Sequence, residues 1–509
     1  MLSLGTDLGL GQPMEHVLRQ CLIALRLAES LGVDEEERAV VYYTALLAWV
    51  GCHVDAHEQS TWFGDELVMK AAVPLVDFDG PRSDVAFLIG HLGAGRPPLE
   101  RLRLGLAFLT GEGRRAVDAM FENHSRATNA LALSLGLDER VRESLDHVFE
   151  RWDGRGLHGF CAEEIALAAR LVALADVIEV YHRIGGPDHA VAAARTRAGT
   201  QFDPELVATL AQDAPRILDG LDTGTTWNAV IAAEPSLMRR LSDEELEATL
   251  AAIADFIDLK SPFTFGHSRR VGELAGSGAA ALGLVPEEVA LTRRAGYLHD
   301  LGRLGVANSI WEKKEPLTAS DWERIRLHPY LTDRMLSSSS ALAEIGKVAA
   351  RHHERLDGSG YPHGLTAPAL SVGARLVAAA DVYAALTEPR AHRPARPSGE
   401  AADVLRGEGR AGRLDGNAAE AVLSAAGHAP RRRREWPAGL TAREVDVLRL
   451  LARGLSSKEI AVHLVISPKT ARNHVEHIYT KAAVTNRAQA SVFAMRHGLL
   501  SDQEALLGS

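Results

Sequence analysis

Residues 245–259 read ELEATLAAIADFIDL, and residues 289–298 read VALTRRAGYL. In the first stretch Leu246, Leu250, Ile253 and Ile257 recur at alternating four- and three-residue steps. That period lines one face of an α-helix; a strand would alternate every second residue. Working outward, alanine and leucine stay abundant and β-branched alternation stays scarce. Several helix starts carry Ser or Thr followed three residues later by Glu: Ser242/Glu245, Ser320/Glu323, Thr441/Glu444 and Ser456/Glu459. Such pairs cap exposed backbone N–H groups reciprocally. The expected fold class is all-α.

The chain has 509 residues, enough for about three domains. Hydrophobic residues make up 46% and charged residues 24%, values that exclude extensive disorder. No unbroken apolar run approaches the roughly 20 residues of a membrane span. Met1–Gly11 lacks a basic residue ahead of an apolar stretch, so it does not read as a secretory signal. Cys21, Cys52 and Cys161 are odd in number and lack CxxC spacing, which excludes a disulfide scaffold or a cysteine zinc site. The expectation is a cytoplasmic protein without membrane contact. Its net charge of −11 is uneven: residues 431–500 carry thirteen Lys/Arg against five Asp/Glu, a net of +8, leaving −19 on the other 439 residues. An acidic body with a basic tail points to a polyanion partner for the tail alone.

An internal repeat organises the body. Residues 148–156 read VFERWDGRG and residues 352–360 read HHERLDGSG, each followed at nearly the same distance by an Ala-Asp-Val. His16 and Gly51 precede His267 and Gly302 by 251 residues; His124 precedes His328 by 204, and Asp176 precedes Asp381 by 205. The drop in offset places about 47 extra residues in the first copy, between Cys52 and His124. Gly185-Gly186-Pro187 and Asp222–Gly224 read as the linker between copies. The expected modules are 12–220 and 240–427, followed by a charged linker over 428–437, a solvated tether or an aid to DNA contact, and a last domain over 438–501.

The second copy gathers metal-ligand chemistry. His267 stands in GHSRRV, His299 and Asp300 in YLHDLGRLG, and His328 in RLHPY; His352 and His353 open HHERLDGSGYP, and Asp381 lies in AADVYAALT. Imidazole and carboxylate suit a divalent transition metal, and a carboxylate can bridge two ions. Seven such groups exceed the needs of one ion with open positions, so a binuclear site is the economical inference; two ions can activate water and clamp a phosphate. On these motifs residues 255–420 resemble the HD-GYP family of metal-dependent phosphohydrolases. The resemblance implies that His267, His299 and Asp381 hold one metal and His328, His352 and His353 the other. It implies that Asp300 bridges them, with a water or hydroxide between as nucleophile. It also implies that Gly360, Tyr361 and Pro362 form a loop beside substrate or a partner, that the metals are iron or manganese, and that the substrate is a cyclic dinucleotide, most often cyclic di-GMP.

Two departures stand out. The family's HDxGK lysine is Arg303 here, which keeps the charge at the phosphate but cannot readily give up a proton. Phe263 stands where three-metal members place a glutamate, so two metals are expected. Asp300 and Arg303 are the candidate catalytic residues, Arg303 also contacting substrate. Arg303 leaves three readings open: a cyclic di-GMP phosphodiesterase, a sensor with weak or no turnover, or a hydrolase of another nucleotide. In the first copy Ala48-Trp49 replace His299-Asp300 and Val148-Phe149 replace His352-His353, leaving only His16, His124 and Asp176. That copy reads as a degenerate module for packing, dimerisation or binding an unknown ligand. Cys52, at the position of Arg303, reads as a small buried residue.

Residues 438–500 read as four short helices. Thr441 caps the first and Gly454 ends it, Ser456 and Glu459 box the second, and Ser467 with Pro468 starts the third. A helix of about seven residues, a turn and a capped basic helix make a helix-turn-helix layout. LTAREVDVL, GLSSKEIA, LVISPKTARNH and RHGLL resemble the LuxR-type DNA-binding domain end to end. The resemblance implies that Pro468 to about Lys481 enters the major groove of double-stranded DNA. Lys458, Lys469, Thr470, Arg472, Asn473 and His474 would face it, Lys and Thr on phosphates, Arg472 on guanine and Asn473 on adenine. Glu476 departs from the basic residue often found there. Residues 488–495 would pair two copies into a homodimer on a two-half-site operator. The combined expectation is a transcription regulator bearing a cyclic-dinucleotide phosphodiesterase module.

Overall fold

The helical reading holds throughout the described residues. In the computed structural model, residues 1–221, 226–235, 241–429, 436–464 and 466–500 are described. Among them helices make up the architecture and no strand occurs, only the isolated bridges Ala198–Phe202, Asp357–Thr366 and Arg390–Arg393. Asp222–Gly224 and most of the expected basic linker lie outside the described residues.

Local sequence explains the boundaries. Ser242, Thr441 and Ser456 cap their helices with the reciprocal Glu245, Glu444 and Glu459. One expected cap is displaced: the helix Ala319–Arg326 is boxed by Thr318 and Asp321, not by Ser320 and Glu323. Aspartate does the same reciprocal work one residue pair earlier, so Ser320 falls inside the helix. The Gly185-Gly186-Pro187 linker reading is also corrected. The helical run Leu167–Thr196 passes through it, kinked at Gly186, whose φ of +78° a side chain would resist. Pro187 restarts the helix at a position needing no N–H, and Ala190 and Ala194 beyond it are buried in the core.

The chain divides into two compact units, Met1–Ala429 and Pro430–Ser509. The first unit therefore runs two residues into the expected linker: His428 still bonds the Tyr383 hydroxyl at 2.8 Å. Trp436, at the linker's far end, packs on the core of the second unit. Both halves of the first unit share one apolar core that includes Leu27, Ile178, Leu210, Leu250, Leu298 and Leu376.

One contact recurs at matching positions of the two expected copies. Asp7 accepts from the backbone N–H of Val17, and Asp258 from that of Ser268, each at 2.8 Å. The helix Leu2–Gly9 thus stands to His16–Ser30 as Asp243–Asp258 stands to His267–Ala281, so the repeat reaches back ahead of residue 12. Each leading helix touches the opposite half. A Cβ on Gly5 would lie 2.9 Å from Leu304, and the Phe256 carbonyl accepts from His53 at 2.8 Å. This exchange explains why the two copies form one unit.

Candidate metal centre and nucleic-acid interface

The seven expected ligands come from separate elements and converge in the first unit. His267 opens the helix His267–Ala281; His299 and Asp300 follow the helix Pro286–Leu298. His328 opens His328–Ser337, His352 and His353 follow Ser340–Ala349, and Asp381 lies within Val372–Thr387. Gly302 lets the loop after Asp300 close on the helix of His328: a Cβ there would sit 1.9 Å from the His328 carbonyl. Thr332 ties the same junction, donating to the His299 carbonyl at 3.0 Å and accepting from Gly302 N–H at 2.9 Å.

Asp300 stands at the centre. Its Oδ2 lies 3.5 Å from His299 Nε2 and 3.8 Å from His267 Nε2. Its Oδ1 lies 3.5 Å from His328 Nε2 and 3.8 Å from His352 Nε2. One carboxylate thus faces two donor groups, His267–His299–Asp381 and His328–His352–His353. Asp381 Oδ1 lies 3.4 Å from His267, and its Oδ2 lies 3.8 Å from His353.

The residues fit divalent ions. His299, His328 and His352 each place Nδ1 at 2.6–2.7 Å from the carbonyl three residues back, to which Nδ1–H donates. That fixes the tautomer and leaves Nε2 as a lone pair facing inward. His267 Nε2 and His299 Nε2 are buried without a hydrogen-bond partner. His328 and His352 bring Nε2 atoms to 3.0 Å, an approach of two lone pairs that a cation relieves. Burial pushes His328 down to about 4 and His352 to about 3, so both are neutral donors. Burial alone would raise Asp300 and lower His267. The surrounding His299, Arg303, His328 and His267 hold Asp300 well below its usual range, and Asp381 and Glu388 lift His267 to about 9.

Arg303 donates to Asp300 Oδ2 at 2.9 Å and lies over the Trp311 ring, 4.1 Å from its centroid. Tyr361 stacks on His353 with centroids 4.7 Å apart. Gly360 packs so closely that a Cβ would sit 2.4 Å from Arg355 N, and Pro362 is half-buried. Sequence reasoning missed three supports. Glu388 holds His267 Nδ1 at 2.8 Å, and Arg390 bonds Glu388 at 3.2 Å and the Phe263 carbonyl at 2.8 Å. The third comes from the insertion: buried Glu66 accepts from Asn308 N–H at 2.8 Å and Lys260 at 3.3 Å, bracing the turn that carries Trp311. Acidic residues near the ligand motif were the available signal for Glu388; the contacts of Glu66 left none in sequence.

The first copy closes the corresponding space. His16 is engaged on both nitrogens, by Glu179 at 2.5 Å and Asp176 at 3.0 Å, and Arg19 bonds Glu179 at 2.6 Å. No imidazole lone pair remains there. Burial opposes its charge, yet the two carboxylates lift His16 to about 10. Phe149 packs against Trp49, Phe121 and His124 where the other copy keeps ligands. His124 donates to the Ala48 carbonyl at 2.9 Å, and burial pushes the Cys52 thiol up to about 12.

Among its described residues the second unit has four α-helices, Ala442–Ala452, Ser457–His463, Pro468–Lys481 and Arg487–Arg496. Val445, Leu448, Ile460, Ala471, Ile478, Ala490 and Ala494 form its core. Buried Glu444 binds Lys481 at 2.7 Å and thereby fixes the third helix on the first. Lys458, Lys469, Thr470, Arg472 and Asn473 are exposed and His474 half-buried. Thr470 N–H donates to Ser467 Oγ at 3.1 Å, and the two hydroxyls lie 2.8 Å apart. Val492 and Met495 are exposed on the last helix.

Fold and sites define a helical unit with a buried His/Asp cluster suited to divalent ions, and a helix-turn-helix domain after it in the chain. Comparison with known proteins agrees. The HD domain family matches residues 251–418, and the luxR family of bacterial regulatory proteins matches residues 438–494. The chain is 30% identical over 412 residues to 3′3′-cGAMP-specific phosphodiesterase 3 of Vibrio cholerae, covering 80% of this chain and 89% of the relative. It is 37% identical over 160 residues to the cyclic di-GMP phosphodiesterase response regulator RpfG of Xanthomonas campestris, covering 31% of this chain and 42% of that protein. The crystal structure of a cyclic GMP-AMP-specific phosphodiesterase of V. cholerae (V-cGAP3) aligns with a TM-score of 0.57 and 26% identity, over 84% of this chain and 97% of that one. The chain belongs to the HD-domain phosphodiesterase family and carries a C-terminal LuxR-family DNA-binding domain. Among the described residues no single helix is long and apolar enough to cross a membrane; one bent pair, Glu35–His53 with Ala56–Phe63, passes by length and composition.

Proposed function

We propose that this protein is a DNA-binding transcription regulator whose second HD module hydrolyses a 3′–5′ phosphodiester of a cyclic dinucleotide, with cyclic di-GMP as the substrate. The observation that carries this reading is the convergence of two donor triads on the two oxygens of Asp300. His267, His299 and Asp381 would hold one divalent ion and His328, His352 and His353 the other, with iron or manganese as the metal. Two such ions supply Lewis acidity to a phosphodiester and lower the pKa of water. Asp300 orients both halves of the centre. Arg303 supplies permanent positive charge toward the phosphate, held in place by Asp300 and Trp311. Gly360, Tyr361 and Pro362 form the rim against which the nucleotide rests. The similarity over most of the chain to a 3′3′-cGAMP-specific enzyme favours that dinucleotide as a second reading. Arg303 favours a third, a sensor with little turnover, because guanidinium does not release a proton to the leaving oxygen.

Full-length protein loaded anaerobically with iron or manganese separates these readings when incubated with each dinucleotide and the products are resolved by chromatography. Linear dinucleotide or GMP from cyclic di-GMP is expected. Linear product from 3′3′-cGAMP alone would transfer the assignment to that substrate. Both dinucleotides left intact by metal-loaded protein would make the module a sensor.

The second unit acts as a homodimer on a two-half-site operator, in the compartment that holds the DNA. On a fragment selected by the wild-type protein from a random pool, Arg472→Ala is expected to lose about 1–3 kcal/mol and relax preference at one base pair. Lys469→Ala is expected to weaken all sequences alike and lower the salt slope by about one. Equal loss on specific and random DNA for both variants would contradict the assignment of Arg472 as a base reader.

A further inference from the structure

The two copies of the repeat solve the same problem with different carboxylates. In the first, the Nδ1 atom of His16 is held by Glu179, three residues after Asp176 on the same helix. Arg19, three residues after His16, bonds that carboxylate at 2.6 Å. In the second copy the residue three after Asp381 is Ala384, fully buried, whose methyl side chain can accept no hydrogen bond. Arg270, three residues after His267, lies instead over the Tyr383 ring at 5.9 Å. The Nδ1 atom of His267 is nevertheless held at 2.8 Å, by Glu388, which leaves the end of the helix seven residues after Asp381. Glu388 is in turn held by Arg390 at 3.2 Å. The carboxylate–imidazole contact survives, moved one helical turn along.

The outcome of the move differs in one respect. In the first copy Asp176 bonds His16 Nε2 at 3.0 Å, so both ring nitrogens are consumed. In the second, His267 Nε2 stands 3.4 Å from Asp381 and 3.8 Å from Asp300, buried and without a hydrogen-bond partner. A carboxylate on Nδ1–H fixes the tautomer and ring orientation and makes the opposite nitrogen a better donor.

We propose that Glu388 is the positioning residue of the His267 side of the centre, a relocated substitute for the carboxylate that position 384 lacks. The proposal rests on the metal-centre reading above. It predicts a site-selective effect, because among the seven candidate ligands the Glu388 carboxylate bonds His267, whereas His328, His352 and His353 are oriented by other groups.

The test is titration of the full-length protein with Mn2+, following bound metal per chain and the manganese resonance spectrum, beside thermal unfolding. Wild type is expected to bind two equivalents. Glu388→Ala is expected to weaken one of them by about 10–100-fold and leave the other unchanged. Glu388→Gln, which keeps an acceptor oxygen without the charge, falls between. The double variant Glu388→Ala/Ala384→Glu restores the carboxylate at the position used by the first copy and is expected to recover the weakened equivalent; failure of that variant to fold leaves the first two comparisons decisive. Two equivalents bound by Glu388→Ala with wild-type affinity would overturn the proposal alone, as would equal weakening of both sites. Wild-type protein that binds no Mn2+ would overturn the metal-centre reading itself, and this proposal with it.

Discussion

Asp300→Ala is expected to abolish cyclic-dinucleotide turnover, by roughly 1,000-fold or more, in protein that stays folded. The carboxylate turns one oxygen toward each donor triad. Without it His267 and His299 lose the anion shared with His328 and His352, and the Arg303 guanidinium loses its 2.9 Å partner. If both triads hold an ion, several kcal/mol of transition-state stabilisation would depend on the pair, and each 1.36 kcal/mol is tenfold in rate. Steady-state rates at saturating manganese, with far-UV circular dichroism as the control for folding, check the prediction. A folded variant with more than a tenth of wild-type rate would mean that Asp300 does not bridge the centre. DNA affinity of the same variant, measured without nucleotide, is expected to stay within twofold, because the second unit has its own core.

His16→Ala is expected to have the largest effect on stability, about 3–5 kcal/mol, with no effect on the metal centre. His16 is fully buried between Asp176 and Glu179, and its removal leaves buried Glu179 to Arg19 and Arg183 and half-buried Asp176 without its imidazole partner. The pH dependence follows from the same contact. The His16 ring titrates at 6.5 when unfolded and about 10 when folded. Its folded state therefore binds the proton more tightly, so the contribution is fully present below pH 6.5 and is lost as pH rises through 10. Glu179 moves oppositely. Burial would raise it, but His16 and Arg19 hold it at about 2 against a model-peptide 4.5, so its share persists above 4.5 and fades as pH falls through 2. Thermal unfolding from pH 6 to pH 10 should show wild type losing more stability than His16→Ala. Parallel curves for the two proteins would contradict the ion cluster.

How much of this could be read from sequence depended on whether a residue kept its place in an ordered motif. The seven candidate ligands were legible as a set because HD, HP, HH and AD stretches recur in fixed order with helices between them, and the structure brings their side chains together. The helix-turn-helix was legible from its caps, and Ser456/Glu459 and Ser467 start the helices where expected. Glu388 was not, because its work is assigned by a rotation of one helical turn that only three-dimensional contact reveals. His16 and Asp176 misled in a subtler way. They looked like surviving ligands, but Glu179 turns them into a closed ion cluster. Gly186 and Pro187 carried a strong breaker signal, yet apolar residues beyond them pulled the chain back onto the same core as a kinked helix. The bracing of Trp311 through Asn308 by Glu66, more than two hundred residues upstream, had no local pattern to announce it.

The central claim is that one half of the repeat holds a binuclear metal centre and the other half is closed by its own side chains. Metal analysis of the purified full-length protein, alongside His16→Ala and Asp300→Ala, tests it most directly. Two transition-metal ions per chain are predicted for wild type and for His16→Ala, and fewer than one for Asp300→Ala. Metal retained by Asp300→Ala and lost from His16→Ala would place the centre in the wrong half and contradict the account.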